Sequence, residues 1–279
     1  MALDAHCSLL GSEPSAHRHT DVFVRLDRWP LYTLITGATT VITTFAVFFA
    51  RDMQRDFKHE GNFVLPTISR TGGQPPTSPV FTLGLHLASF QSMVVFGAIY
   101  YRTRSLTRYA PAKAAEAAAK IRLWNPRLAA LGLICVVGML GTGSFYLSLD
   151  HVVHGVFASI LFLAGMLYCV VHTLCIARPA LQIASAASAA PTEVAGEQYW
   201  LKYKVWVCVL AMVACLLYVV VLNLWQAHDN CEGENWCAVR NWRSSVEYVL
   251  CGSLFLYIGG LRHDLRGAVL KLDILESST

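Results

Sequence analysis

The 279-residue chain is 55% hydrophobic and only 14% charged, and its mean hydropathy is +0.46. These values exclude an ordinary water-soluble domain. The net charge of +4 is not concentrated in one soluble module, so it predicts contact with anionic lipid headgroups and no binding of nucleic acid.

Six windows are apolar and long enough to cross a bilayer core, which needs about 20 residues per helix. They cover residues 31–50, 81–101, 128–149, 152–175, 205–225 and 246–261, the last being the shortest. The first 28 residues are polar, so no cleavable signal peptide is predicted. The predicted fold is an all-α bundle of six transmembrane helices, with a tail at 1–28, a membrane domain at 29–262 and a second tail at 263–279.

The distribution of basic residues predicts the orientation. Six spans place both tails on the same side of the membrane. If that side is the cytosol, 16 Lys and Arg residues face it and 6 face the opposite side. Because basic loops stay preferentially in the cytosol, both tails are predicted to be cytosolic. Four basic residues in the first outer loop reduce this bias, and they are Arg51, Arg55, Lys58 and Arg70.

Two predicted cytosolic connectors differ in composition. Residues 102–126 contain an Ala-rich run after Pro111, which predicts a short helix at the membrane interface. The basic segment 102–127 is also the predicted contact for a cytosolic regulatory protein. Residues 178–196 are rich in Ala, Ser and Pro, which predicts a flexible linker.

The end of the first outer loop is rich in proline and glycine. Residues 65–81 hold four prolines and two adjacent glycines, which are incompatible with a continuous helix. We expect an ordered, turn-rich cap over the outer ends of the helices, and the alternative is a floppy loop. The motif in this loop consists of Ile68, Ser69, Thr71, Gly72, Pro75, Pro76, Ser78 and Phe81.

This motif resembles the hallmark loop of the DRAM/Frag/Sfk-type multipass membrane proteins. That superfamily includes the damage-regulated autophagy modulators, the post-GPI-attachment remodelling factors and the N-terminal region of Cwh-type proteins. The sequence around His86 is similar to the remodelling branch, the sequence around His154 is similar to the modulator branch, and Glu247 opens the last span as in both. Arg70 and Thr77 occupy positions that are typically acidic in the modulators, so no role is expected here that needs an acidic outer loop.

Five ionisable residues are predicted to lie at the outer membrane face: His86, Asp150, His151, His154 and Glu247. Ionisable groups at membrane depth are functional candidates by default. Three interpretations stay open: a structural hydrogen-bond network, a lipid-headgroup or proton-responsive site, and a catalytic or metal site. The structural network is favoured over catalysis, because no nucleophilic Ser or Cys motif accompanies the histidines.

Other polar residues are interpreted more simply. Cys231 and Cys237 fall in a short predicted outer loop, where an oxidising compartment favours a disulfide over two free thiols. His172 is interpreted as an isolated filler residue. Asp264 closes the last span and is expected to face cytosolic headgroups.

The resemblance implies a non-enzymatic membrane protein that modulates autophagy, membrane traffic or phosphoinositide-dependent processes through membrane lipids or partner proteins. The alternative is a factor that remodels the lipid of GPI-anchored proteins, using the outer-face residues. The sequence contains no P-loop, dinucleotide or zincin motif, and no cofactor or metal is predicted. Lysosomal, endosomal, plasma, Golgi and endoplasmic-reticulum membranes all fit the resemblance.

Overall fold

The computed structural model describes residues 19–52, 58–59, 62–63, 65–187, 191–227 and 234–275. A π-helical segment, His172–Ala177, joins the helices His151–Val171 and Arg178–Ala186 in one continuous helical stretch. The helices are α1 (Trp29–Asp52), α2 (Ile68–Thr71), α3 (Thr77–Arg108), α4 (Ala115–Ser144), α5 (His151–Val171), α6 (Arg178–Ala186), α7 (Pro191–Ala227) and α8 (Glu234–Asp264). The strands are β1 (His19–Arg25), β2 (Lys58–His59), β3 (Asn62–Phe63) and β4 (Val269–Leu275), and β2 pairs with β3.

Six helical stretches of the described chain are long and apolar enough to span a membrane. They are Leu26–Arg51, Thr77–Arg108, Ala112–Ser144, His151–Ala186, Val194–Val220 and Asn241–Asp264. The predicted all-α bundle of six membrane helices is therefore confirmed. The third span ends at Ser144 rather than at residue 149, because the chain turns before Asp150 caps the next helix.

The spans pack as a ring around a shared interior. Helix α1 packs on α3 and α8, α3 on α4, α4 on α5, and α7 on α8, while α5 also contacts α7 and α8. Helices α4 and α5 approach closely at Gly138, where a Cβ atom would lie 2.5 Å from the backbone nitrogen of Leu161. Small residues allow such close approach between membrane helices.

The two ends of the bundle carry different structures. The end with residues 65–76 and the starts of α3, α5 and α8 is called the loop end. The opposite end, called the terminal end, carries an antiparallel pair of β1 with β4, in which Arg25 lies opposite Val269. Gly267 has φ +73° and turns the chain from α8 towards β4. The predicted tails therefore contribute a strand each, which hydropathy did not indicate.

The separate interfacial helix predicted after Pro111 is wrong. The helix that begins at Ala115 continues through Pro126 to Ser144 as part of the third span. Ala118 and Ile121 are buried, and the first turns of α4 pack against α6. The Ala-rich face is thus an internal packing surface rather than a surface element.

The flexible linker predicted for residues 178–196 is also wrong where the structure describes it. Helix α6 extends the fourth span to Ala186, and α7 begins at Pro191. Pro179 and Ile183 are buried, because the small side chains around them let α6 pack closely on α4. Residues 188–190 lie outside the described chain.

Candidate functional site

The proline- and glycine-rich segment 65–81, called the cap, lies over the loop end and is hydrogen-bonded to α8. The hydroxyl of Ser244 donates to the carbonyl oxygen of Leu65 at 2.7 Å. The hydroxyl of Tyr248 donates to the carbonyl oxygen of Pro66 at 3.1 Å. Both bonds join residues far apart in sequence, so they fix the cap to the sixth span.

The motif residues of the cap differ in exposure. Ile68, Thr71, Gly72, Ser78 and Phe81 are buried, Ser69 is half-buried, and Pro75 and Pro76 are exposed. Ile68 and Phe81 pack in one apolar cluster with Leu85 and Met139. A Cβ atom on Gly72 would lie 2.3 Å from Cγ of Phe81, so this position accepts only glycine without displacing the ring.

Glu247 is a buried carboxylate beneath the cap, with 3% of its surface exposed. Its Oε1 accepts two hydrogen bonds of 3.1 Å from Ser69, one from the backbone N–H and one from the hydroxyl. A buried carboxylate is strongly unfavourable without such donors. These two hydrogen bonds therefore link Ser69, a motif residue of the cap, to Glu247, the carboxylate predicted at the start of the last span.

An apolar cavity lies beneath the cap in the middle of the bundle. It encloses about 840 Å³ of space between atoms, including its mouth. Its walls come from α1, α3, α4, α5 and α8, and Ile68 and Ser69 of the cap line its loop end. The residues with polar oxygen atoms in the lining are Thr40, Ser69, Thr142, Tyr168, Glu247 and Tyr257. Ligand pockets are mostly apolar with a few polar groups, so this cavity has the lining of one.

The tyrosines of the cavity lie further towards the terminal end. Tyr168 is 2% exposed, and its ring packs on Phe96 with the ring centres 4.4 Å apart. Its hydroxyl makes no hydrogen bond with the described residues. A buried hydroxyl without a partner is unfavourable, so a ligand with an acceptor oxygen near Tyr168 would remove that cost.

His86 and His154, two of the three histidines predicted at the outer face, have separate partners. His86 Nε2 lies 3.0 Å from the hydroxyl oxygen of Ser144. His154 is buried, and its Nδ1 lies 2.7 Å from the carbonyl oxygen of Phe145. A carbonyl oxygen only accepts, so Nδ1 of His154 carries the proton. Each imidazole thus ties its helix to the α4 terminus and the turn that follows it.

Asp150 and His151 lie at the start of α5 and face outwards. Asp150 Oδ1 accepts from the N–H groups of Val152 and Val153 at 3.0 Å each, which is an ordinary N-cap. His151 is exposed. The backbone N–H of His154 donates to the carbonyl oxygen of Asp150 at 2.9 Å, but in the described chain no side-chain hydrogen bond or ion pair joins any two of the five predicted residues. No three His, Cys, Asp or Glu side chains of the described chain are grouped for a metal ion. The expected mutual network is replaced by separate contacts.

The predicted disulfide is not described. Cys231 lies outside the described residues, and the side chain of Cys237 is not described either. The pairing therefore stays a prediction.

A buried polar network that the sequence analysis missed lies towards the terminal end. His172 and Lys204 are 1% and 2% exposed. The ammonium group of Lys204 donates to Oδ1 of Asp264, and His172 Nε2 lies 3.9 Å from Oδ2 of the same carboxylate. The network joins the fourth, fifth and sixth spans. The interpretations of His172 as isolated filler and of Asp264 as facing headgroups were therefore wrong.

Hydrogen bonding in this network assigns the protons. Thr173 Oγ1 donates to the carbonyl oxygen of Cys169 at 2.8 Å, so the hydroxyl of Tyr257 donates to Thr173 at 2.7 Å. The 2.8 Å contact between Tyr257 and His172 Nδ1 then requires Nδ1 to donate. Nε2 of His172 is left facing Asp264, so a second proton on the imidazole would create an ion pair.

The network was detectable in part. His172 falls within a predicted apolar span, and Lys204 and Asp264 fall just beyond the limits of two others. All three belong to the same predicted membrane side, and ionisable groups at that depth pair with one another. The π-helical turn that begins at His172 has no sequence signature, although such turns often mark functional sites.

Tyr257 connects the network to the cavity, because it lines the cavity wall and also bonds to His172 and Thr173. The cavity therefore extends from the Ser69–Glu247 pair at the loop end to the edge of the buried network.

Comparison with known proteins assigns the family. No curated protein and no solved structure matches the chain. The family model described as the Frag1/DRAM/Sfk1/Cwh43P N-terminal domain matches residues 28–268, which include helices α1 to α8, the cap and the buried network. The chain is a multipass membrane protein that belongs to this Frag1/DRAM/Sfk1/Cwh43P N-terminal domain family.

Proposed function

We propose that this chain is a non-enzymatic lipid-binding membrane protein, which holds an acyl chain of a membrane lipid in the apolar cavity and modulates autophagy or membrane traffic through that lipid. The observation that carries the proposal is the cavity itself. Its lining is mostly apolar side chains from five of the six spans, and apolar surface of this kind favours a hydrocarbon over water.

The cap supports the same proposal from the loop end. Ile68 and Ser69 form part of the cavity wall, and Ser69 is held by Glu247. A lipid chain in the cavity would thus meet a polar boundary where the cap crosses it. The motif residues act in this proposal as the structure that closes one end of a lipid site.

Photo-crosslinking tests the proposal directly. The purified protein is reconstituted with a phosphatidylcholine that carries a diazirine on one acyl chain, irradiated and digested, and the labelled peptides are identified by mass spectrometry. We expect labels on residues that line the cavity, such as Met139 and Leu254. Substituting Ala158→Phe fills the cavity wall and is expected to reduce those labels about tenfold, since an overfilled site excludes the chain.

The matched control is Val156→Phe on the same helix. Val156 is 54% exposed and does not line the cavity, so this variant should keep the labels of the unmodified protein. Labels confined to outward-facing residues, or an equal loss in both variants, would contradict a chain in the cavity.

A second candidate is a role in remodelling the lipid of GPI-anchored proteins. It is favoured by the position of a buried carboxylate, Glu247, at the polar end of an apolar cavity, where an ester group of a bound lipid would lie. Under this proposal, Glu247→Ala would change the lipid form of GPI-anchored proteins at the surface of cells, as measured by mass spectrometry of the released anchors. Unchanged anchors in cells that lack the protein would exclude it.

A further inference from the structure

A second cavity lies at the terminal end, between the last turns of α3 and the first turns of α4. It encloses about 600 Å³ by the same measure as the first. Its lining residues are Tyr100, Arg104, Thr107, Arg108, Ile121, Arg122, Asn125 and Pro126. The segment predicted as a loop for a regulatory protein therefore consists of parts of two helices, with a cavity between them that three arginines line.

The cavity concentrates positive charge. Arg104, Arg108 and Arg122 line it, and no carboxylate does. In the described chain none of the three forms an ion pair, and Nη1 of Arg122 donates a long hydrogen bond of 3.5 Å to the carbonyl oxygen of Thr107. Three guanidinium groups that line one cavity without a counter-charge repel one another. An anion between them would relieve that repulsion.

The floor of the cavity is held in place by buried residues. Asn125 is 4% exposed, and its Nδ2 donates to the carbonyl oxygen of Tyr100 at 2.9 Å. Ile121 is fully buried, and the hydroxyl of Thr107 donates to the carbonyl oxygen of Arg104. The arginines therefore project from a fixed helix pair. Guanidinium forks on a rigid base match the oxygen geometry of phosphate.

The level of the cavity in the membrane favours a lipid. Tyr101 is exposed beside the lining residue Tyr100, and Arg127 lies over the ring of Trp124 at 5.0 Å. Aromatic and basic side chains of this kind mark the headgroup region at the ends of membrane helices. Basic pockets between membrane helices at the cytosolic side bind anionic headgroups, and the basic bias predicts that side for the terminal end.

We propose that the cavity lined by Arg104, Arg108 and Arg122 binds the phosphate group of an anionic membrane lipid. This site is separate from the apolar cavity and does not depend on the function proposed above. It lies in the leaflet at the terminal end, whereas the cap closes the loop end.

Native mass spectrometry tests the proposal with phosphatidic acid as the probe, since its headgroup is a bare phosphate. The full chain is placed in nanodiscs of phosphatidylcholine with phosphatidic acid, and retained lipids are counted. We expect one phosphatidic acid to be retained. Replacing the three arginines together, as Arg104→Gln, Arg108→Gln and Arg122→Gln, should weaken retention about tenfold or more, because each charge-assisted hydrogen bond is lost.

The matched control removes the same charge from the same end of the bundle. Lys113→Gln, Lys120→Gln and Lys202→Gln change exposed residues that do not line the cavity, and retention should fall by less than about twofold. Equal losses in the two triple variants would show general attraction to a basic surface and overturn the proposal.

A lysine variant and a competition with inorganic phosphate test the geometry of the site and the kind of anion that it binds. Replacing the three arginines by lysines retains the charge but removes the planar guanidinium groups. Retention of phosphatidic acid should then be intermediate between that of the unmodified protein and that of the triple glutamine variant. Full retention in the lysine variant would contradict the proposed geometry. Added inorganic phosphate should not displace phosphatidic acid from the protein. Phosphatidylcholine retention is measured in the same samples, and only phosphate concentrations that leave it unchanged are used. Displacement by inorganic phosphate would assign the cavity to a soluble anion and overturn the lipid assignment.

Discussion

Ser69 and Glu247 join the cap to α8 through two hydrogen bonds. Substituting Glu247→Ala would leave the N–H and the hydroxyl of Ser69 without their acceptor, which costs about 1–3 kcal/mol of unfolding free energy. Glu247→Gln keeps an acceptor oxygen and should cost less. Chemical unfolding in detergent measures both values, and an equal loss in the two variants would show that the hydrogen bonds do not matter.

Tyr257 is the residue that joins the buried network to the cavity wall. Tyr257→Phe removes the acceptor for His172 Nδ1 and the donor to Thr173, so we expect a loss of about 1–3 kcal/mol in unfolding free energy. Tyr203→Phe is the control, because the hydroxyl of Tyr203 makes one exposed bond to the carbonyl oxygen of Leu256. Tyr203→Phe should lower the free energy of unfolding by only about 0.5 kcal/mol, since its hydrogen bond is exposed to solvent. The reverse order would contradict the assigned network.

At the scale of elements, two glycines in neighbouring spans differ in what surrounds them. A Cβ on Gly138 would lie 2.5 Å from the backbone nitrogen of Leu161, whereas nothing lies within 4 Å of one on Gly155. Gly155→Ala should therefore raise the free energy of unfolding by up to about 1 kcal/mol through helix propensity. Gly138→Ala should lower it, because α4 and α5 must separate. Thermal unfolding of both variants checks the difference in sign, and a stabilised Gly138→Ala would contradict the packing.

The sequence predicts some features of the secondary-structure elements and leaves others open. The spans follow from local hydropathy, so their centres were predicted correctly. The continuation of the Ala-rich helix into the third span and the extension of the fourth span to Ala186 were not, because these segments have little hydropathy signal and pack against each other across the fold. The pairing of β1 with β4 joins distant residues, and only the fold brings them together.

In the candidate site, the sequence likewise predicts the individual residues but not the contacts between them. The cap motif and Glu247 are recognisable in the sequence, but their contact, Ser69 to Glu247, joins two distant segments. His86, Asp150, His151 and His154 were grouped by membrane level, and that level does not determine which side chains meet. The Lys204–Asp264–His172 network was missed because each member was judged alone. Pairing between helices is the information that hydropathy lacks.

At the scale of the whole molecule, the excess of basic residues predicts a cytosolic terminal end. A glycosylation acceptor sequence inserted between His59 and Asn62 should then be glycosylated in cells, because β2 and β3 belong to the loop end. The same sequence added after Thr279 should stay unmodified. Gel mobility before and after glycosidase treatment measures both. Glycosylation only at the second position would reverse the orientation.

The central claim is that the apolar cavity beneath the cap holds a lipid chain. A cryo-electron microscopy density map of the protein, purified from its native membrane without added lipid, tests this claim most directly. We expect elongated density between Ser69 and Tyr257, in contact with side chains from the five lining spans. Continuous side-chain packing with no such density, or a collapsed cavity filled by Phe81 and Phe255, would contradict it.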